Sequence, residues 1–271
     1  MNEKSLKERM TELRGKYEVV LPDAPYIMCM IDGKNFSRLI KNKYQKPFDL
    51  RFMELMDKTA IYVCEESQYA CFAYVQSDEI TFVFDNHSNG DCHQNFFGNR
   101  ISKLLSIIPS TATAKFNQEA LKQFLETLPS STAIEDYARD NKPKVFDCKI
   151  WTADNWNDVY AYLLWRQNDC IRNSKQQAAQ AYLSHKQLHG LDTDQQIALL
   201  KREKEIDWWN AYTDGMRFGR FIFRDQVMNY HPEYGDFIRH VWVSHSAFQL
   251  NKDGKQRLHD LNIIPDHAVS D

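Results

Sequence analysis

Apolar positions along the chain follow two periods, and their alternation predicts the fold. Residues 26–31 form an unbroken apolar run between proline and glycine, short enough to predict a buried strand that ends at Asp32-Gly33. Runs at 69–76 and 79–85 are parted only by Ser77-Asp78, which predicts a hairpin with Asp78 near its tip. An Asp there is tolerated because its carboxylate can bond local backbone amides. Further strands are predicted at 144–151 and 218–223. Helical spacing appears over 3–16, where Leu6, Met10 and Leu13 share one face. It returns over 50–66, behind Asp49 as N-cap, with Phe52, Leu55, Met56 and Val63 in phase. Two helices are expected at 93–108 and 116–128, broken by Pro109. A long helix is expected over 155–188 and shorter ones over 194–212. Residues 33–49 and 87–91 are predicted as loops, and the aromatic, mixed stretch beyond 229 has no clear period.

The order strand, helix, hairpin, helices, strand, long helix predicts an α+β fold: an antiparallel sheet with helices on one face, plus helical additions. The expected organisation is a catalytic domain over 1–228 and a C-terminal extension over 229–271.

Composition narrows the class. With 271 residues, 43% hydrophobic and 26% charged, the chain can bury a sizeable core. It has 9 glycines and 8 prolines, which argues against long linkers. No apolar run is long enough for a membrane span, and the charged N-terminus lacks the apolar core of a secretory signal. No membrane partner is therefore expected, and the cytoplasm is the expected compartment. Six cysteines without a CxxC pair are expected to be reduced thiols. The pairs His87 with His93 and His185 with His189 lack the further ligands of a zinc site. A net charge of −3 argues against a protein that coats nucleic acid, but leaves room for one that grips RNA through a local basic patch.

The strongest candidate chemistry is a set of carboxylates at strand ends. Asp32 leaves the first strand, and Asp78 and Glu79 sit at the hairpin bend. Neighbouring strands lie about 4.8 Å apart, so a hairpin paired beside the first strand would bring these acids together. Oxygen-rich sites of this kind suit magnesium, and two such ions could clamp a nucleotide's phosphates, activate an attacking oxygen and stabilise leaving pyrophosphate. Gly33 would let the chain turn sharply and approach a ligand closely. Each element alone is equally consistent with an ordinary turn or an acidic hairpin tip.

Two basic stretches accompany the acids. Lys41, Lys43 and Lys46 surround Tyr44, which could stack on a base. Arg139, Lys142, Lys144 and Lys149 form the second. Arg166 and Asn173 share one face of the long helix, with Asp169 placed to pair with Arg166, so they could bind RNA or triphosphate or simply fix the helix. Lys201 to Glu205 reads as a solvated face, and Trp208-Trp209 as core or subunit interface.

These residues also carry a family pattern. Ile31-Asp32-Gly33-Lys34-Asn35-Phe36 resembles the motif isoleucine-aspartate-glycine-basic-x-phenylalanine of the tRNA-histidine guanylyltransferases. Lys46-Pro47-Phe48-Asp49 resembles that family's lysine-proline element, and Gln76-Ser77-Asp78-Glu79-Ile80-Thr81-Phe82-Val83-Phe84 its central hairpin. Phe146-Asp147-Cys148-Lys149 is similar to a further strand motif, with Lys in place of Arg. Trp165-Arg166-Gln167-Asn168-Asp169-Cys170 is similar to the start of its long-helix motif. The similarity spans roughly 15–225. It departs after Cys170, where the family's His-Ile-Asn-Asn is replaced by Ile171-Arg172-Asn173-Ser174.

The resemblance implies a polymerase-palm-like fold that adds nucleotides to the 5′ end of tRNA, in the 3′-to-5′ direction. GTP would be the preferred nucleotide, after activation by ATP. Asp32, the Gly33 carbonyl and Asp78 would hold two magnesium ions, with Glu79 as a third acid. Lys34, Asn35, Phe36, Lys46 and Ser77 would line the nucleotide. Arg166, Asn173, Lys149 and Lys204 would contact RNA or triphosphate. Homo-oligomers, dimers or tetramers, are implied as well. The activity would be guanylylation of tRNA-histidine or template-directed repair of tRNA 5′ ends. A palm-fold nucleotide cyclase and a non-catalytic tRNA- or nucleotide-binding module are the alternatives.

Overall fold

The computed structural model describes residues 4–67, 69–86, 95–127, 135 and 142–264. Helix α1 (Leu6–Gly15) opens the chain, and strand β1 (Tyr26–Gly33) follows. Helices α2 (Phe36–Lys43) and α3 (Leu50–Glu65) lead to the hairpin of β2 (Ala70–Gln76) and β3 (Glu79–Asp85). Then come α4 (Ile101–Thr127) and β4 (Phe146–Ala153). The second half holds α5 (Trp156–Tyr182), α6 (His185–Leu188), α7 (Thr193–Lys204), α8 (Trp208–Ala211) and α9 (Asp214–Phe218). Strands β5 (Arg220–His231) and β6 (Gly235–Ser246) and helix α10 (Gly254–Asp260) end it.

All six strands pair antiparallel, in the order β4-β1-β3-β2-β5-β6. Side chains alternate between the two faces. On one face Ile27, Cys29, Ile31, Ile80, Phe82 and Phe84 pack under α3 and α4. On the other, Tyr26, Met28, Phe72, Tyr74 and Val83 pack under α5 and the helices after it. The expected α+β antiparallel sheet is present. The helical additions, expected beside the helices on one face, form a second layer on the opposite face.

Several boundaries differ from expectation for physical reasons. Pro109 does not break the helix; α4 runs through it. Leu104, Ile108, Ala112 and Phe116 form an i+4 stripe into the core on both sides of the proline, so packing outweighs the one lost backbone bond. The loop expected at 33–49 contains α2, anchored by buried Phe36 and Leu39. The helix expected over 155–188 divides at Ser184, which caps α6. The tail beyond 229 holds the end of β5, all of β6 and α10: the 228/229 boundary falls inside β5, and Leu258, Ile263 and Ile264 pack in the same core as α5. Sequence pattern missed this hairpin because its distal half is exposed on both faces.

The described cysteines are all free thiols. His87, Cys92, His93, Arg139 and the predicted 87–91 loop lie outside the described residues. No helix among the described residues is long and apolar enough to cross a membrane.

Candidate active site

The end of the sheet gathers acids by strand register. Asp32 on β1 lies opposite Glu79 on β3 and, on its other side, opposite Asp147 on β4. Cross-strand partners point to the same face, so three carboxylates form a row across β4, β1 and β3. Asp78 joins them from the hairpin turn, whose backbone carbonyl accepts from the Gly33 amide at 3.1 Å. Ser77, not Asp78, takes the left-handed conformation in that turn (φ 46°), and its hydroxyl donates to Asp78 Oδ1 at 3.0 Å. Asp147 was not singled out from sequence: its motif was recognised, but only the β1–β4 pairing puts its carboxylate beside Asp32.

Such a row is electrostatically costly, and the fold offsets it unevenly. Glu79 accepts two hydrogen bonds from Arg166 of α5, Nε to Oε1 at 2.8 Å and Nη2 to Oε2 at 2.7 Å. Gln76 adds a third at 3.0 Å, and Asp169 takes the other side of Arg166 at 3.1 Å. The Arg166 and Glu79 side chains are only 13% and 12% exposed, so this fork is a fixed strut between sheet and helix. Arg166 is thereby occupied within the protein. Asp32 has no such partner. Burial first, then the charges of Asp78, Asp147 and Glu79, push its carboxyl up to about 6, against a smaller pull from Lys149. Burial also raises Asp78, opposed by its bond from Ser77.

Gly33 has a packing role besides the one expected of it. It ends β1 without a left-handed conformation, and the Phe36 ring fills the space where a Cβ would stand, 2.4 Å from its position. Phe36 itself is core: its ring packs on Phe52, Phe116 and Phe146. Its side chain therefore cannot line a nucleotide, and that expectation is corrected to a role as anchor. The anchor fixes the first turn of α2, where Asn35 is left-handed (φ 62°) and its side chain does not cap the helix. Lys34 and Asn35 are exposed beside it.

A cavity of about 290 Å³ opens over the acids. Asp32, Ser77, Asp78, Glu79 and Arg166 form one wall, with Asn173 and Ser174 further along α5. Opposite stand Tyr44, Gln45, Pro47 and Asp49. Asp49 caps α3 through the Arg51 amide and also accepts from the Gln45 amide at 2.8 Å. Burial alone would raise its carboxyl, but the bonds from Arg51 and Gln45 outweigh it and hold it low. Lys46 is exposed and outside the cavity lining, between two residues that line it. Lys149 is exposed on edge strand β4, and Lys204 stands at the end of α7 away from the cavity lining. Ile171 packs toward the core, and the buried Ser174 hydroxyl donates to the Ile171 carbonyl at 3.0 Å. Trp208 is core, as one of its two sequence readings expected, while Trp209 is half exposed. Rings of His185 and His189 lie 6.0 Å apart, and among the described residues no three His, Cys, Asp or Glu side chains cluster closely enough to hold a metal unaided.

An antiparallel palm-like sheet with acids gathered at one end of its central strands defines the class of palm nucleotidyltransferases. Comparison makes the assignment specific. The family described as tRNAHis guanylyltransferase matches residues 7–154, and the chain belongs to that family. A protein of Acanthamoeba polyphaga mimivirus is 30% identical over 95% of this chain and 96% of its own length. A tRNA(His) guanylyltransferase of Schizosaccharomyces pombe is 33% identical over 57% of this chain, which spans 52% of that protein. The tRNA(His) guanylyltransferase 1 of Arabidopsis thaliana is also 33% identical, with 25% of its length covered. Among solved structures, a bacterial tRNA(His) guanylyltransferase-like protein in complex with ATP superposes with a TM-score of 0.74 at 27% identity, covering 96% of this chain and 99% of that one. The guanylyltransferase of Saccharomyces cerevisiae, at 20% identity and TM-score 0.63, shares the fold. The family is one of nucleotidyltransferases, so this chain is an enzyme of that type.

Proposed function

We infer that the chain is a magnesium-dependent enzyme that adds nucleotides, GTP by preference, to the 5′ end of tRNA in the 3′-to-5′ direction. The observation that carries this is the pair Asp32 and Asp78 in the lining of the cavity, tied through Gly33 and, among the described residues, left without a cationic partner like that of Glu79. Two carboxylates fit magnesium, which keeps several waters and completes its shell with substrate phosphates instead of a full protein cage. Asp32, Asp78 and the Gly33 carbonyl would hold the ions. Bound there, they would neutralise triphosphate charge and favour ionisation of the attacking hydroxyl.

The chain's own groups do the rest. Asp32 and Asp78, raised by burial, give up their protons to admit a cation. The first turn of α2 would present its N-terminal amides to phosphate oxygens, with the exposed Lys34 and Asn35 side chains beside them; the Lys34 amide itself is taken by the Val145 carbonyl at 3.0 Å. Ser77 in the cavity lining and the exposed Lys46, between the lining residues Gln45 and Pro47, would contact the phosphates. Glu79 acts through Arg166, which holds α5 and its Asn173 against the sheet. The ATP complex of the bacterial relative supports ATP as the activating substrate. Exposed Met228, Tyr230, Tyr234 and Ile238 on the β5–β6 hairpin support assembly as a dimer or tetramer. The enzyme would work in the cytoplasm.

Template-directed repair of shortened 5′ ends is favoured over strict tRNA-histidine guanylylation by the α5 departure, since apolar Ile171 packs toward the core where the resemblance implies a histidine, and the cavity-lining Ser174 ties its hydroxyl to the Ile171 carbonyl where an asparagine is implied. The test supplies 5′-triphosphorylated and 5′-monophosphorylated tRNAs, intact or lacking the first nucleotide, with magnesium and each labelled nucleotide. Label is expected at the 5′ end, matched to the opposing base, and lost in Asp78→Ala. Guanosine added whatever base opposes it would indicate guanylylation. No RNA label with normal GTP binding would indicate a binding module, and a cyclic product from GTP alone would indicate a cyclase.

A further inference from the structure

The two basic stretches noted in the sequence, far apart along the chain, meet in one groove. Its volume is about 310 Å³, and its lining includes Lys43, Arg51, Lys142 and Lys144. Among its described lining residues none is acidic. Its floor is apolar and aromatic: the half-buried Phe124 ring of α4 faces it, while Phe116 is fully buried and belongs to the core. Tyr44 lines both this groove and the acidic cavity, so the two are neighbours across one ring.

The groove is fixed by backbone bonds. Asn117 of α4 clamps residue 144: its Nδ2 donates to the Lys144 carbonyl at 2.7 Å and its Oδ1 accepts from the Lys144 amide at 2.9 Å. Gln123, also on α4, donates to the Arg51 carbonyl at 2.8 Å. Asp49, 5% exposed, holds the 53%-exposed Arg51 guanidinium by Nη2 to Oδ2 at 2.8 Å, and that guanidinium lies 5.7 Å from the Tyr44 ring centre. Cations are thus held around flat apolar surfaces.

We propose that this groove binds the RNA substrate itself, taking the sugar-phosphate backbone on Lys142, Lys144 and Lys43 and an unstacked base against its aromatic floor, beside the reacting 5′ end in the acidic cavity. Lysines with interleaved aromatic rings suit single-stranded nucleic acid, because every base has a face to stack. A free nucleoside triphosphate suits the groove less well, since among its described lining residues no carboxylate can share a cation with the phosphates. The proposal rests on the 5′-end nucleotidyltransferase reading.

The test uses the full chain, a 3′-fluorescent tRNA transcript lacking its first nucleotide, and a salt titration read by anisotropy. Lys142→Ala/Lys144→Ala should weaken RNA binding roughly tenfold at moderate salt. It should also flatten the slope of log affinity against log salt by about 1.5, at about 0.7 to 0.9 per phosphate contact. The KM for GTP and kcat at saturating RNA should stay unchanged. Lys142→Arg/Lys144→Arg should retain binding, which excludes misfolding as the cause. Unchanged RNA affinity and slope in the alanine variant would overturn the proposal, as would a raised GTP KM with unchanged RNA affinity, which would make the groove a nucleotide site. A wild-type chain that binds GTP but no RNA would overturn the function reading itself, whatever the groove variants do.

Discussion

The acidic cavity and the basic groove share Tyr44 but are built in opposite ways. The cavity's acids stand at the ends of central strands, where register forces like charges together: Asp32 is opposite both Glu79 and Asp147. One of them is neutralised by the largely enclosed Arg166, and Asp32 is left with its carboxyl up to about 6. The groove's lysines come from a helix end and the segment before β4, and they cost the fold little because they are solvated. Chemistry on a triphosphate needs charge that is fixed and poorly solvated, so it is placed where the sheet over-determines the backbone. Gripping a polyanion needs only cations at a surface.

That contrast breaks most sharply at Asp78. Asp78→Ala should lower nucleotide addition by on the order of 10³-fold or more, because it removes one of two carboxylates that would hold the ions. RNA affinity should change less than threefold by the anisotropy assay. A parallel collapse of RNA binding would show that cavity and groove are one energetic unit.

The two regions also differ in how far the sequence revealed them. Asp32 and the Ser77-Asp78-Glu79 turn were legible because each follows an apolar run whose period fixes the strand end locally. Asp147 was not, since its approach to Asp32 depends on β4 pairing with β1 from a distant part of the chain. The Arg166–Glu79 fork joins residues 87 apart, and only Arg166–Asp169, three apart on one helix, could be anticipated. The lysines of the groove were read as two separate basic stretches, and nothing in their spacing says that α4 brings them together. Gly33 was read as a turn-former, whereas the Phe36 ring decides its identity.

The fork tests whether Glu79 is a ligand or a support. Removing one partner of a paired, largely buried charge typically costs about 3–5 kcal/mol, and partial solvation lowers the expectation for Glu79→Ala to about 2–3 kcal/mol by denaturant unfolding. Glu79→Leu/Arg166→Leu should recover much of that loss. Glu79→Gln should reduce magnesium affinity far less than Asp78→Asn does. Equal losses would place Glu79 among the metal-holding groups and remove the distinction between a neutralised acid and the two reactive ones.

A smaller effect is expected at Gly33. In Gly33→Ala the new Cβ would meet the Phe36 ring at 2.4 Å, and that ring is wedged among Phe52, Phe116 and Phe146. Overpacking of this kind costs about 1–3 kcal/mol. Because Phe36 begins α2, the KM for GTP should rise as well. Gly33→Ala/Phe36→Leu should regain stability; a Gly33→Ala protein as stable as wild type would show that the ring can shift freely and that the anchor is not rigid.

The smallest effect has a sign opposite to the usual one for an active-site substitution. The Asp32 carboxyl titrates at about 6 when folded, above its ordinary 3.8, chiefly through burial and then through Asp78, Asp147 and Glu79. A raised acid disfavours folding wherever it is ionised. The penalty is absent below the unfolded value, grows as pH rises through the interval, and is complete above the folded value. Asp32→Asn should therefore stabilise the metal-free protein at pH 7.5. The group is partly solvated, so the gain should be about 1 kcal/mol, well below the full conversion of the shift. It should shrink at pH 4.5 and vanish below the unfolded value. Thermal unfolding in EDTA at the two pH values reads this directly, with magnesium and GTP then stabilising wild type only. A variant less stable than wild type at pH 7.5 would mean that Asp32 is satisfied in the empty site. The strain that separates the acidic cavity from the basic groove would then not exist.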